Sequence, residues 1–353
     1  MPSHDPVLGW DLGGAHLKAV LVDSAGAAGF ALQLPCPLWQ GLAHLDRAID
    51  ETLARLPAAV TTHAVTMTGE LADCFADRGA GVTALADAMS AHVPGGQLYF
   101  FAGRRGFFRL SDIAQVLFDI ASANWVATAL YTAHVIDSAL LVDIGSTTAD
   151  LIPLASGNVR VSGNDDFSRL AADELAYTGT VRTPLMSLAA RVPFEGRLVG
   201  VMAEHFATAA DVYRLTGELS EAADLHAAAD GGPKTIDGSA RRLARMIGRD
   251  AVSAPLGAWK RLAAFFADRQ LDRLVDAATR LLERSRLSSH APVVGAGVGG
   301  FLARKLAARL GRPYVDFARL VPRAGASFEA VMACAPAFAV ARLLRVPLRE
   351  GQR

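Results

Sequence analysis

Two Asp-plus-glycine turns constrain this chain more than any other feature. They are Trp10-Asp11-Leu12-Gly13-Gly14 near the start and Val142-Asp143-Ile144-Gly145-Ser146-Thr147-Thr148-Ala149-Asp150 far downstream. Each follows one apolar run and precedes another, so each reads as a β-hairpin whose tip carries a carboxylate on one side and glycines on the other. Glycines let backbone N–H groups approach an anion closely, and an Asp can hold a divalent cation or its water, which is what binding a polyphosphate or diphosphate requires. Two such tips facing each other across a cleft would make a phosphate site.

The runs around the turns follow one plan twice. Val7–Asp11, Leu17–Val22 and Phe30–Leu34 read as a three-strand meander. Leu42, Leu45, Ile49, Leu53 and Leu56 then recur at spacings of three and four, the apolar stripe of a core helix. A strand at His63–Met67 leads through Thr68-Gly69-Glu70-Leu71 into helical sequence up to Phe75, and Gln97–Phe101 restores a strand. One long helix is expected from Ser111 or Asp112 to about Tyr131. A second meander follows at Ala139–Asp143, Thr148–Leu154 and Asn158–Val161, then helices at Phe206–Leu215, Ala240–Ile247 and Trp259–Leu287, with polar Ser220–Asp237 as a loop. Pro292–Gly300 joins a buried strand to the helix Phe301–Leu310; Pro313–Phe317 is the next strand and Ala330–Leu344 a closing helix. Architecture is repeated here, not sequence.

The whole-chain properties exclude several classes. With Lys plus Arg equal to Asp plus Glu at 35 each, no general field favours nucleic acid or an anionic membrane. Cys36, Cys74 and Cys334 are odd in number and far apart, which suits a reducing compartment, the cytoplasm. Met1 to Pro6 lacks a signal-peptide pattern, and the apolar tail Ala330–Leu344 is too short to span a membrane and contains Pro336. The 353 residues, 52% hydrophobic, suffice for two domains with sizeable cores.

The ordered set of two Asp-Gly hairpins, a connecting helix, a late glycine-rich turn and a closing helix resembles the actin, heat-shock chaperone and sugar-kinase superfamily along essentially the whole chain. That resemblance implies an α/β fold of two RNase H-like (actin-like ATPase) domains flanking a central cleft. The first domain would be residues 1–135 plus a returning segment at 328–353, the second residues 136–327 with a helical insertion. Asp11, Gly13 and Gly14 match the first phosphate motif of that superfamily, Asp143 to Thr148 the second, and Gly295, Gly297, Gly299 and Gly300 the adenosine motif. Alone, the last of these would be a weak signal.

A narrower resemblance bears on chemistry. Residues 10–18, Thr66-Met67-Thr68-Gly69-Glu70-Leu71-Ala72-Asp73, Tyr177-Thr178-Gly179-Thr180-Val181-Arg182-Thr183-Pro184, residues 206–213 and Arg241–Met246 resemble the hydantoinase/oxoprolinase-related proteins of tetrahydromethanopterin-linked one-carbon transfer. That family includes a methanofuran-biosynthesis synthase. The resemblance implies an alkyl transferase that joins an aminomethyl-furanmethyl diphosphate to the phenol oxygen of a tyramine- or tyrosine-type acceptor and releases diphosphate, in the making of a methanofuran or methylofuran coenzyme. It implies small-molecule substrates and Mg²⁺. ATP is not required in this reading, and a homo-oligomer is left open. The Ala- and Arg-rich composition leaves the acceptor open among tyramine, glutamyl-tyramine and tyrosine.

The residue types fit such a reaction. An electron-rich furan stabilises the developing cation, so the enzyme must mainly neutralise the leaving group and align the phenol. Asp11 and Asp143 are the metal-side candidates. Gly13, Gly14, Gly145, Ser146, Thr147 and Thr148 supply N–H and hydroxyl donors, with Lys18 or Arg182 completing the charge. A free phenol has a pKa of about 10 and needs a base, for which Glu70 at a strand end is one candidate and His16 another. Each has a plainer reading beside it. The Asp residues could merely stabilise turns, Glu70 could cap the following helix, His16 could be a satisfied strand residue, and Arg182 could pair with Asp173 or Glu174. The basic run Arg241, Arg242, Arg245 reads as a solvated helix face. Two other functions remain open: an ATP-dependent kinase or hydantoinase/oxoprolinase-like enzyme, and a non-catalytic nucleotide-binding protein.

Overall fold

The computed structural model describes residues 5–346; Met1–His4 and the end of the expected returning segment, 347–353, lie outside the described residues. Strands β1 (Val7–Leu12), β2 (His16–Val22), β3 (Ala28–Pro35), β4 (Thr62–Met67), β5 (Gln97–Phe101) and β6 (Phe107–Phe108) form a sheet in the order β3-β2-β1-β4-β5-β6. The meander is antiparallel, whereas β4 pairs in parallel with β1 and β5 with β4, which demands crossovers. Helices α1 (Ala43–Ala54) and α2 (Arg78–His92) supply them.

Both faces of this sheet are covered, so β1 is buried throughout. Leu8, Trp10 and Leu12 pack with Val65 and Met67 into one core with Leu45 and Ile49 of α1 and Val82, Leu85 and Met89 of α2. On the other face lies α11 (Ala335–Leu343), whose backbone comes so near that a Cβ on Gly9 would sit 1.9 Å from the Ala337 carbonyl oxygen.

The second sheet holds β7 (Ala139–Ile144), β8 (Ala149–Ala155), β9 (Asn158–Val159), β10 (Leu175–Ala176), β13 (Val293–Ala296) and β14 (Tyr314–Asp316), in the order β10-β8-β7-β13-β14 with β9 also on β8. Read along β9-β8-β7-β13-β14, it repeats the strand order of β3-β2-β1-β4-β5, the RNase H-like order. A separate hairpin joins β11 (Arg191–Phe194) to β12 (Arg197–Gly200). The remaining helices are α3 (Leu117–Ile120), α4 (Asn124–Val135), α5 (Asp166–Ala171), α6 (Ala209–Thr216), α7 (Ile236–Arg245), α8 (Leu256–Ser285), α9 (Gly300–Arg309) and α10 (Phe328–Ala333). By compactness the chain divides into two units: residues up to Leu141, Ile152–Asp166 and from Val315 on, and Val142–Leu151 with Phe167–Tyr314.

Several sequence expectations need correction. The long helix over 111–131 is instead a 3-10 stretch at Leu110–Gln115, the short α3, and α4, broken at Ser122, which adopts a left-handed φ of 53°. The closing helix is two helices meeting at Cys334, because Pro336 cannot donate to a preceding turn and so must sit in the first turn of a new helix. Helix α2 begins after Phe75, where the Asp77 carboxylate accepts from Ala80 N–H at 2.8 Å. Helix α6 starts at Ala209 because Thr208 and Asp211 form a capping box. Arg242 is no solvated residue. It is fully buried, with Nε donating to Asp211 at 2.8 Å and Nη1 to Asp230 at 3.0 Å, and this joins the polar loop before α7 to α6.

Candidate functional site

The two hairpin tips are built alike. Gly13 N–H donates to the His16 carbonyl at 3.0 Å, and Gly145 N–H donates to the Thr148 carbonyl at 2.9 Å. Both glycine N–H groups close their own turns, so the donors left for an anion are those of the residues that follow.

Around the second tip the backbone decides which donors those are. The Gly145 carbonyl accepts from Thr180 N–H at 3.0 Å, and the Ser146 carbonyl accepts from Val181 and Arg182 N–H at 3.1 and 2.8 Å. A trans peptide points its C=O and N–H in opposite directions. Tying these two carbonyls to the 180–182 segment therefore turns the N–H groups of Ser146 and Thr147 away from it. Neither N–H donates a hydrogen bond among the described residues, and both residues are half-buried. Adjacent unengaged N–H groups on one turn make a concavity suited to an anion. The Ser146 and Thr147 hydroxyls lie 3.4 Å apart beside them.

Close approach at two glycines holds this arrangement. A Cβ on Gly179 would lie 2.4 Å from both the Ser146 carbonyl carbon and Thr147 N. Gly297, at φ +77°, would place a Cβ 2.2 Å from the Ile144 carbonyl oxygen and 2.5 Å from Asp143 Oδ1. The late glycine run is thus packed directly beneath the second tip: Gly299 N–H donates to the Ile144 carbonyl at 2.8 Å, Gly295 faces the Tyr314 ring, and Gly300 opens α9. Asp143 itself is half-buried. Arg182 is exposed at its side chain, and Asp173 is held by Arg280 and Arg284. Asp150, at the end of the motif, receives a 2.7 Å hydrogen bond from the buried Arg169, a pairing with no signal in the sequence.

In the first unit, Asp11 and Lys18 stand opposite each other on β1 and β2, with Lys18 Nζ 3.1 Å from Asp11 Oδ2. Asp11 is 1% exposed, and its Oδ1 has no hydrogen-bond partner. Thr66, paired with Asp11 on β4, also leaves its buried hydroxyl without one. His16 is buried at the start of β2 opposite Pro35, on the same side of the strand as Lys18. Gly14 lies at the tip, where its carbonyl accepts from Leu38 N–H at 3.0 Å.

Glu70 follows β4 in a 3-10 turn tied to the first tip by Thr68 N–H donating to the Leu12 carbonyl at 3.0 Å. Helix α2 presses on it: a Cβ on Gly81 would meet the Glu70 carbonyl oxygen at 2.5 Å. Glu70 does not cap that helix, since Asp77 does. Its Oε1 accepts from Ser122 Oγ at 2.8 Å, and its buried Oε2 has no partner. Burial pushes the Glu70 carboxyl above the usual range against the opposing pull of the Ser122 hydrogen bond. Arg78, itself 3.1 Å from Asp166, lowers it, while Asp166 raises it. Sequence reasoning missed Ser122, whose left-handed backbone is the cause of the helix break.

Mg²⁺ is held by one or two carboxylates plus substrate phosphates rather than by an all-protein cage. Among the described residues no group of three or more His, Cys, Asp or Glu side chains could hold a metal ion. The unpartnered Oδ1 of buried Asp11 is a donor of the kind a Mg²⁺ or its water uses, so the residues fit that mode.

The repeated strand order defines the class as an α/β protein with two RNase H-like halves, the actin-like ATPase fold. The chain superposes over 96% of its length on 70% of the nucleotide-free structure of an acetone carboxylase, with TM-score 0.60 and 11% identity, a likeness of fold alone. Residues 61–345 match the hydantoinase/oxoprolinase family, and the chain belongs to that family. It is 31% identical over 247 residues, 69% of this chain and 72% of the relative, to the (4-{4-[2-(gamma-L-glutamylamino)ethyl]phenoxymethyl}furan-2-yl)methanamine synthase of Methanocaldococcus jannaschii. The protein of the same name from Methanococcus vannielii is 33% identical over 111 residues, 31% of this chain and 50% of that protein. No helix among the described residues is long and apolar enough to cross a membrane.

Proposed function

We propose that the protein is a cytoplasmic transferase that makes an aryl ether from an aminomethyl-furanmethyl diphosphate and a phenolic amine, in the assembly of a methanofuran-type coenzyme. The product named for its relatives carries a phenoxymethyl group on a furan. The bond formed therefore joins the phenol oxygen to the furanmethyl carbon. The bond broken is that carbon's link to diphosphate, which leaves with the electron pair, and the phenol proton passes to a base.

The observation that carries this reading is the pair of unengaged N–H groups at Ser146 and Thr147, which suit the oxygens of a departing diphosphate. In the second unit Asp143, Arg182 and the Thr147 and Thr148 hydroxyls would complete the anion's surroundings, with Asp143 on the side of a Mg²⁺ that would supply charge neutralisation at the leaving group; in the first unit Asp11, beside Lys18, has the open carboxylate oxygen suited to such an ion. Glu70 is the base: its raised pKa strengthens it as a proton acceptor once ionised, and Ser122 fixes its orientation. His16 is the alternative acceptor. An ATP-dependent reading draws on Gly295–Gly300, yet the atoms that require glycine at 295, 297 and 299 include Tyr314, Asp143 and Ile144. The test is incubation with the furanmethyl diphosphate, a panel of phenolic amines and Mg²⁺ without nucleotide, followed by mass spectrometry. An ether product is expected. No ether with any phenol, together with ADP formation in a parallel incubation supplied with Mg-ATP, would overturn the proposal in favour of the nucleotide-dependent reading.

A further inference from the structure

Helix α8 carries an apolar stripe through Leu262, Ala263, Phe266, Leu274, Ala277 and Leu281, and in its middle stands Gln270, 1% exposed. A buried amide costs stability unless its groups are paired. Here Nε2 donates to Thr178 Oγ1 at 2.8 Å and to the Gly179 carbonyl at 2.9 Å, and Oε1 accepts from Tyr213 OH on α6 at 2.8 Å. The orientation is forced, because the Gly179 carbonyl can only accept. Gly179 is the residue whose Cα lies on the Ser146–Thr147 peptide, and Thr183 Oγ1 also donates to its carbonyl, at 2.8 Å.

We infer that Gln270, braced by Tyr213, is a positioning residue that sets the anion-facing N–H groups of Ser146 and Thr147 through the 178–182 segment. The inference rests on the diphosphate reading of that turn. Gln270 touches no reacting atom. It fixes where Gly179 lies, and thereby which way the two peptides turn their N–H groups.

The test titrates inorganic diphosphate with Mg²⁺ into the full-length wild type, Gln270→Leu and Tyr213→Phe, and measures KM for both substrates. For Gln270→Leu, diphosphate affinity falls about tenfold or more, the scale of losing a supporting-shell contact. KM for the furanmethyl diphosphate rises in step while KM for the phenol stays put. A merely structural role would not separate the two KM values. Tyr213→Phe, which keeps volume but frees the amide to turn, shows a smaller loss in the same direction and decides the matter if Gln270→Leu does not fold. Folded variants binding diphosphate within twofold of the wild type would overturn the inference while leaving the functional reading intact. A wild type that does not bind diphosphate at millimolar concentration would remove both.

Discussion

Acidification should weaken this fold through His63. The residue is fully buried on β4, where its Nδ1 accepts from Trp10 Nε1 at 3.2 Å, and burial pushes its pKa down from 6.5 to about 4. Because the charged form is disfavoured only in the folded state, the unfolded chain binds more protons between those two values, and stability rises with pH there. The contribution is present above pH 6.5 and is lost as pH falls towards 4. At pH 5 the unfolded imidazole is almost wholly protonated and the folded one about a tenth so, which costs about 2 kcal/mol relative to pH 7.5, growing to about 3 kcal/mol below pH 4. Glu70 and His92, whose pKa values are raised, act in the opposite sense, so the raw curve is a sum. The measurement is urea unfolding at pH 7.5 and 5 for the wild type and His63→Gln, which keeps an acceptor for Trp10. The difference between the two proteins should shrink or reverse by about 2 kcal/mol on acidification. Parallel losses in both would refute the assignment.

Three further outcomes follow from the site and its supports. Asp11→Ala and Asp143→Ala should each abolish diphosphate release while circular dichroism shows a retained fold; wild-type turnover in both would remove the metal and phosphate assignments. Glu70→Gln should slow ether formation with diphosphate affinity unchanged, and Ser122→Ala, by removing the hydrogen bond that favours the carboxylate, should move the acid limb of the pH–rate profile upward; an unmoved limb would free Glu70 of the base role. Arg242→Ala should destabilise by about 2–4 kcal/mol, since it removes the buried guanidinium that joins Asp211 to Asp230 and leaves Asp211 with Arg214, Ser239 and the Thr208 N–H, and a loss under 1 kcal/mol by denaturant titration would contradict the buried network.

Much of the fold was legible because it is written in local signals. The apolar alternations of both meanders, the α1 stripe and the Asp-Gly tips each depend on a few neighbouring residues, and their edges fell within a few positions of the observed strands. What escaped depends on contacts distant in sequence. The break at Ser122 serves Glu70, 52 positions away, and nothing near Ser122 announces it. The β11–β12 hairpin turns on Glu195-Gly196, both at positive φ, a two-residue turn in which only the glycine is a local signal. Gln270 left a trace of another kind, a polar residue where the α8 stripe calls for an apolar one. At the second Asp-Gly turn the motif is written in neighbouring residues, but only the carbonyl partners of Gly145 and Ser146 reveal which N–H groups remain to donate.

Whether the Ser146–Thr147 turn holds the leaving group is decided by a crystal structure of the protein with Mg²⁺ and inorganic diphosphate. Diphosphate oxygens are expected within hydrogen-bonding distance of Ser146 N and Thr147 N. A diphosphate bound elsewhere, with those two N–H groups donating to protein or water alone, would contradict that placement.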